Sequence, residues 1–237
     1  MNQIALVVCL HGDEPFGLEV GKEFQETLPV FIGNELALKQ NKRFIEADLN
    51  RCFPGNPEGE YEEKIAYELL KKLKNFDYII DVHSSSCNIE LFGIITKPNK
   101  EKINLAKKMG LKKIVLMSEH LAKGSALIDY LDCALSLEIG PHNKEGNAEK
   151  VITLINNLQN NIDKDCSENK PEIYEIFDII KGEEVSKYYL ENFKGVKKGD
   201  LIAEGKERYY AHFDFIPILT GEDAYNNIIC LAAKSIQ

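Results

Sequence analysis

The sequence predicts an α/β fold: a mixed, mostly parallel sheet with helices on both faces, followed by a small all-β C-terminal domain. Three observations carry this reading. Over residues 1–165, short apolar, β-branched runs alternate with segments of helical periodicity, the rhythm of βαβ units. Three of those runs carry a metal-capable side chain at or near their carboxyl end (His11, His83, Glu138), where ligands sit in open α/β sheets. The rhythm then breaks at the polar stretch 163–170, and the residues beyond it read as short strands. We therefore expect a catalytic domain over 1–165 and a small β domain over 166–237 that covers part of the site.

Taken in order, residues 4–10 are a buried strand, and residues 17–28 have helical spacing that suits a crossover helix. Residues 29–33 read as the next strand, ended by Gly-Asn, and residues 37–46 as a weaker extended segment. Residues 48–55 form a loop marked by Pro and Gly. Residues 61–73 make an amphipathic helix with Ile65, Leu69, Leu70 and Leu73 on one side. Further strands lie at 76–83, 90–96 and 113–117, with a helix at 99–109 between the last two. Residues 134–139 are a buried strand holding one carboxylate, which is costly there unless paired or functional, and residues 146–162 a helix. Beyond the boundary, residues 174–180, 216–219 and 228–233 look like strands, and 196–202 contains a hairpin-like Gly-Asp turn.

The chain has 237 residues and a net charge of −9, which argues against a nucleic-acid or anionic membrane surface as partner. No apolar run reaches the length of a membrane span, and the N-terminal residues lack the pattern of an export signal, so a cytoplasmic location is expected. The six cysteines are scattered without a CxxC pair, as reduced thiols would be. No GxGxxG or GxxxxGK[ST] follows any strand, so nucleotide binding is not expected. Lysine supplies nearly all the positive charge; the only arginines are Arg43, Arg51 and Arg208. Two of them stand close together just after the first loop. Arginine can bind a carboxylate with a planar pair of hydrogen bonds, which lysine cannot.

His11 and Glu14, offered together on a turn, with His83 would give two histidines and a glutamate, leaving a fourth zinc position for water as in hydrolytic sites. Such an ion lowers the water's pKa towards about 7 and polarises a carbonyl. Glu138 is the candidate base that takes the proton and passes it to a leaving nitrogen. Arg43 or Arg51 would balance the oxyanion. Asp48 is placed to accept the second N–H of a metal histidine.

The motifs His11-Gly12-Asp13-Glu14, Asp48-Leu49-Asn50-Arg51, Asp81-Val82-His83 and Leu137-Glu138-Ile139-Gly140-Pro141, in that order, resemble the aspartoacylase and succinylglutamate desuccinylase family, related to the zinc carboxypeptidases. The closing Gly221-Glu222-Asp223-Ala224-Tyr225 resembles the end of aspartoacylase, and the likeness covers essentially the whole chain. The resemblance implies a zinc-carboxypeptidase-like mixed sheet, one Zn²⁺ per chain held by His11, Glu14 and His83, and Glu138 as general base and acid. It further implies that Arg43 polarises the scissile carbonyl, Asn50 and Arg51 bind a substrate carboxylate, Asp48 supports a metal histidine, and Tyr225 reaches the substrate from the β domain. The implied reaction is hydrolysis of a small N-acyl amino acid or a similar carboxylate-bearing amide, and a homo-oligomer is compatible with it. A carboxypeptidase-like peptide-trimming amidase and a non-catalytic acyl-amino-acid binding protein are the alternatives. In one respect the chain departs from aspartoacylase, which has a further arginine shortly before its catalytic glutamate. Residues 123–137 hold none, and Lys123 would offer only a point charge, so the resemblance leaves N-acetylaspartate open as a substrate, while an N-acyl or peptide-like amide with one free carboxylate fits.

Overall fold

In the computed structural model, which describes residues 3–117, 124–142 and 144–236, the fold is built on a nine-stranded mixed sheet. Its strands are β1 (Ile4–Val8), β2 (Val30–Ile32), β3 (Tyr78–Ser84), β4 (Phe92–Thr96), β5 (Lys113–Met117), β6 (Ala134–Ile139), β7 (Glu172–Lys181), β11 (Ile216–Ile218) and β12 (Ile228–Ser235), in the order β11-β12-β7-β5-β4-β6-β3-β1-β2. A separate three-stranded antiparallel sheet holds β8 (Lys187–Tyr188), β9 (Leu201–Glu204) and β10 (Arg208–Tyr210). The strands β2, β1, β3 and β6 run parallel. β4 reverses against β6, and β5 and β7 run parallel to β4.

Side chains alternate across the sheet with the period of two that a pleat imposes. Ile4, Leu6, Val8, Ile80, Val82, Leu135 and Leu137 share one core. Against them pack Val20 and Phe24 of α1 (Phe16–Phe24), Leu105, Ala106 and Met109 of α4 (Lys100–Met109), and Val151, Leu154, Ile155 and Leu158 of α5 (Asn147–Asn161). Ala5, Val7, Ile79 and Ala134 face the other way, onto Ala66, Leu69, Leu70 and Leu73 of α3 (Tyr61–Leu73). Helices thus cover both faces, which is why the central parallel strands read as unbroken apolar runs. The residues that continue this second set along β3 and β6, namely Asp81, His83, Ser136 and Glu138, emerge on the α3 face.

The expectation of an extended segment at 37–46 is overturned. Residues Glu35–Lys39 form a short helix, α2, because the Asn34 side chain accepts from the Ala37 N–H at 3.1 Å and caps a run of good helix formers. Residues 166–237 hold strands and turns, as the composition change implied, but β7, β11 and β12 continue the large sheet rather than standing apart from it. Among the described residues no helix is long and apolar enough to cross a membrane.

Candidate active site and metal centre

The chain end of β1 turns sharply at His11-Gly12-Asp13-Glu14. A Cβ on Gly12 would lie 2.1 Å from the Ala37 carbonyl carbon, so only glycine lets this turn lie against α2. The turn presents His11 and Glu14 to His83 at the end of β3. The three are buried, their nitrogen and carboxylate donors lie within 4.8 Å of one another, and no other such cluster occurs among the described residues. His11 Nδ1 is 2.7 Å from Glu14 Oε1, and His83 Nδ1 is 3.4 Å from Glu14 Oε2. Each ring uses its remaining nitrogen on a carboxylate: His11 Nε2 lies 3.0 Å from Asp48 Oδ1, and His83 Nε2 lies 2.8 Å from Asp81 Oδ2. This donor set fits a divalent metal. It offers two imidazoles and a carboxylate at one buried corner, with both rings oriented from behind by carboxylates, an arrangement common to histidine-rich metal sites.

The electrostatics of the metal-free corner come from that packing. Burial works against charge on Glu14, but the imidazoles of His11 and His83 outweigh it and hold the carboxyl far below its usual range. Burial likewise disfavours a charged His83 ring, and Asp81 and Glu14 overcome this to raise it well above 6.5. His11 rises for the same reason, through Glu14 and Asp48. A metal would therefore displace protons from both rings as it bound.

Glu138 stands beside this corner. β3 and β6 are paired in register, so His83 lies opposite Glu138 and Asp81 opposite Ser136, whose hydroxyl donates to Asp81 Oδ2 at 2.9 Å. Burial, reinforced by Glu14 and Glu222 and opposed by His83 and Arg43, pushes the Glu138 carboxyl up to about 8. Such a group can both take and return a proton near neutral pH. Arg43 donates through Nε and a terminal nitrogen to Asp48 Oδ2 at 3.2 and 3.1 Å, and its other terminal nitrogen lies 3.8 Å from Glu14 Oε1. Asn50 accepts the Leu127 N–H on its amide oxygen at 2.9 Å, a bond that does not use its NH₂ group. Arg51 donates to the Asn50 carbonyl at 2.7 Å and has no carboxylate within ion-pair distance among the described residues. Tyr225 is carried in by the turn after β11, and burial pushes its phenol up to about 12.

His11, Glu14, Arg43, Asn50, Arg51, His83, Glu138 and Tyr225 all line one cleft at the carboxyl ends of β1, β3 and β6, enclosing roughly 670 Å³ with its mouth. Asp48 sits behind it, between His11 and Arg43. Lys123 lies outside the described residues. Sequence reasoning assigned no role to four contributors. Asp81 was visible as a charge inside an apolar strand, two residues and one pleat before His83. Ser136 repeats that signal on β6. Glu62, buried on α3, accepts the N–H groups of Ile45, Glu46 and Ala47 at 2.7, 3.1 and 3.2 Å and the Asn34 amide at 3.0 Å, thereby shaping the segment between Arg43 and Asp48. A carboxylate among helix charges gave no sign of this. Glu222 accepts from the Ser85 hydroxyl and from the Ser86 N–H, the latter at 2.9 Å, clasping the turn that bears Tyr225 to the end of β3.

The family described as the succinylglutamate desuccinylase/aspartoacylase catalytic domain matches residues 1–162. A probable aspartoacylase of Acaryochloris marina is 32% identical over 125 residues, 45% of this chain and 42% of that protein. An N-acyl-aromatic-L-amino acid amidohydrolase (carboxylate-forming) of Xenopus tropicalis is 23% identical over 189 residues, 68% of this chain and 61% of that protein. The matched stretch thus spans less than two thirds of either relative. Murine aminoacylase 3 shares the fold with a TM-score of 0.83 at 17% identity, over 99% of this chain and 95% of that one. A product-bound ectoine-utilization protein from Ruegeria pomeroyi does so with 0.76 at 18% identity, over 100% and 86%.

Proposed function

Because this chain belongs to the succinylglutamate desuccinylase/aspartoacylase family, we propose that it is a zinc-dependent hydrolase that cleaves the amide bond of a small N-acyl amino acid. The observation that carries this reading is the buried His11–Glu14–His83 donor set with Glu138 on the next strand in register. When bound there, zinc supplies Lewis-acid polarisation of a carbonyl and acidifies water. The chain's own groups do the rest. Glu138 accepts a proton as water adds to the amide carbon and returns it to the leaving nitrogen. The C–N bond then breaks to give a carboxylate and a free amine. Arg43, pinned by Asp48 with one nitrogen turned towards Glu14, offsets charge developing on the carbonyl oxygen. Arg51 and the Asn50 NH₂ bind the substrate carboxylate, and Tyr225 closes on it from the C-terminal turn. Asp48 and Asp81 hold the two imidazoles in orientation.

The test is primary-amine release by the zinc-loaded protein from N-acetyl and N-succinyl amino acids, repeated with Glu138→Gln. We expect the variant to keep its zinc stoichiometry and lose about 10³-fold in kcat, within the range of a general base. An unchanged rate in that variant removes Glu138 from the chemistry.

A further inference from the structure

The face of the sheet that bears the site changes character from one strand to the next. Register carries a single row of side chains from Asp81 on β3 through Ser136 on β6 to Ile94 on β4. Two residues along β4, Thr96 pairs with Met117 of β5. The cleft is therefore charged over β1, β3 and β6 and apolar over β4 and β5. Ile94, Thr96, Met117, Ile128 and Leu219 line this second part. Ile94 packs against both the cluster containing Ile128 and the one containing Leu219, so the wall is continuous.

The wall is also built rather than incidental. Lys102, itself buried, donates from Nζ to the carbonyls of Thr96 and of Ile128, both at 3.1 Å, tying the end of β4 to the short 3₁₀ turn Leu127–Tyr130. Its ammonium lies behind the wall and does not line the cleft. Thr96 is 1% exposed, and its buried hydroxyl has no hydrogen-bond partner among the described residues.

From this arrangement we infer that the wall is the side-chain subsite of the substrate and that it selects a neutral aliphatic group. The inference rests on the hydrolase reading above and specifies its substrate: an N-acyl amino acid with one carboxylate and an uncharged side chain. A second carboxylate in this subsite would leave water for a wall that offers no cation among the described residues, with Glu138 and Glu222 on the same cleft. Uncompensated burial of that kind is strongly unfavourable. Arg43 is already paired with Asp48, so Arg51 is the guanidinium left for the first carboxylate.

The experiment measures binding and turnover separately on N-acetyl-L-leucine, N-acetyl-L-methionine, N-acetyl-L-aspartate and N-acetyl-L-glutamate. Calorimetry on zinc-loaded Glu138→Gln gives Kd, and amine release by the wild-type chain gives kcat/KM. We expect the neutral pair to bind at least 10-fold more tightly than the acidic pair. Placing a cation in the wall with Ile128→Lys is expected to narrow or invert that ratio, and Ile128→Val to preserve it. Equal or tighter binding of the acidic pair overturns the inference while leaving the hydrolase reading intact, as does failure of all four to bind. A neutral preference in Kd with no amine released from any of the four upholds the subsite and overturns the hydrolase reading instead.

Discussion

At the scale of single residues, the site is a set of charges that hold one another in unusual protonation states. Glu138 has the clearest consequence, because its carboxyl rises to about 8 in the metal-free fold, from an ordinary value of 4.5. A carboxyl raised in this way favours the folded state fully below about pH 4.5, and that contribution is lost as pH rises through 8. Glutamine has no proton to lose. In chelator-treated protein, Glu138→Gln should therefore gain thermal stability over wild type as pH goes from 5 to 9, with the two melting temperatures converging on the acid side. A gap that shrinks with rising pH would contradict the burial assigned to Glu138. His11, His83 and Glu138 drew notice in the sequence because each stands at or near the end of an apolar run, and Glu14 because it follows His11 by three residues on the same turn; the fold brings all four to one cleft. Asp81 obeys the same logic from within its strand. Glu62 and Glu222 do not, since their importance comes from backbone groups that meet them only after folding.

At the scale of elements, register and capping do the positioning. The parallel pairing of β3 and β6 brings His83 level with Glu138, and a slip of β6 by one residue would turn Glu138 to the opposite face, away from His83. Between β2 and α3 the chain has little regular structure, and the Glu62 carboxylate organises it by accepting three consecutive N–H groups. Replacing it with Gln sets an NH₂ group against backbone donors. Glu62→Gln should cost about 2–3 kcal/mol, the worth of a charge-assisted bond left unsatisfied, read from the denaturant midpoint. It should also raise KM, since Arg43 and Asp48 lie on either side of the segment it holds. Long, strongly periodic elements such as α3 and α5 are legible to within a residue or two. The short helix α2 is not: at five residues it is too brief to show a period, and its start depends on the Asn34 cap.

At the scale of the whole molecule, the composition change near residue 163 marks the end of the βα rhythm but not the edge of the sheet. β7 pairs with β5, and Tyr174, Ile176, Ile218 and Leu231 complete a core begun by Phe92 and Val115. A chain ended at residue 165 should therefore expose the β5 edge and a split core. We expect it to aggregate or to lack a cooperative melt, as judged by size-exclusion chromatography and circular dichroism; a soluble, cooperatively folded 1–165 would mean the first part stands alone. The same closure has a counterpart in time. Glu222 reaches back across 137 positions to the Ser85 hydroxyl. At about 5–20 residues per second, a ribosome needs roughly seven to thirty seconds to travel from His83 to that clasp. Throughout that interval a nascent chain carries His11, Glu14, His83 and, for much of it, Glu138, yet has neither the Leu219 wall nor Tyr225. Under the hydrolase reading, the residues that would hold the ion are thus all made well before those that would select the substrate, and the fold that assembles both waits for the C-terminal strands.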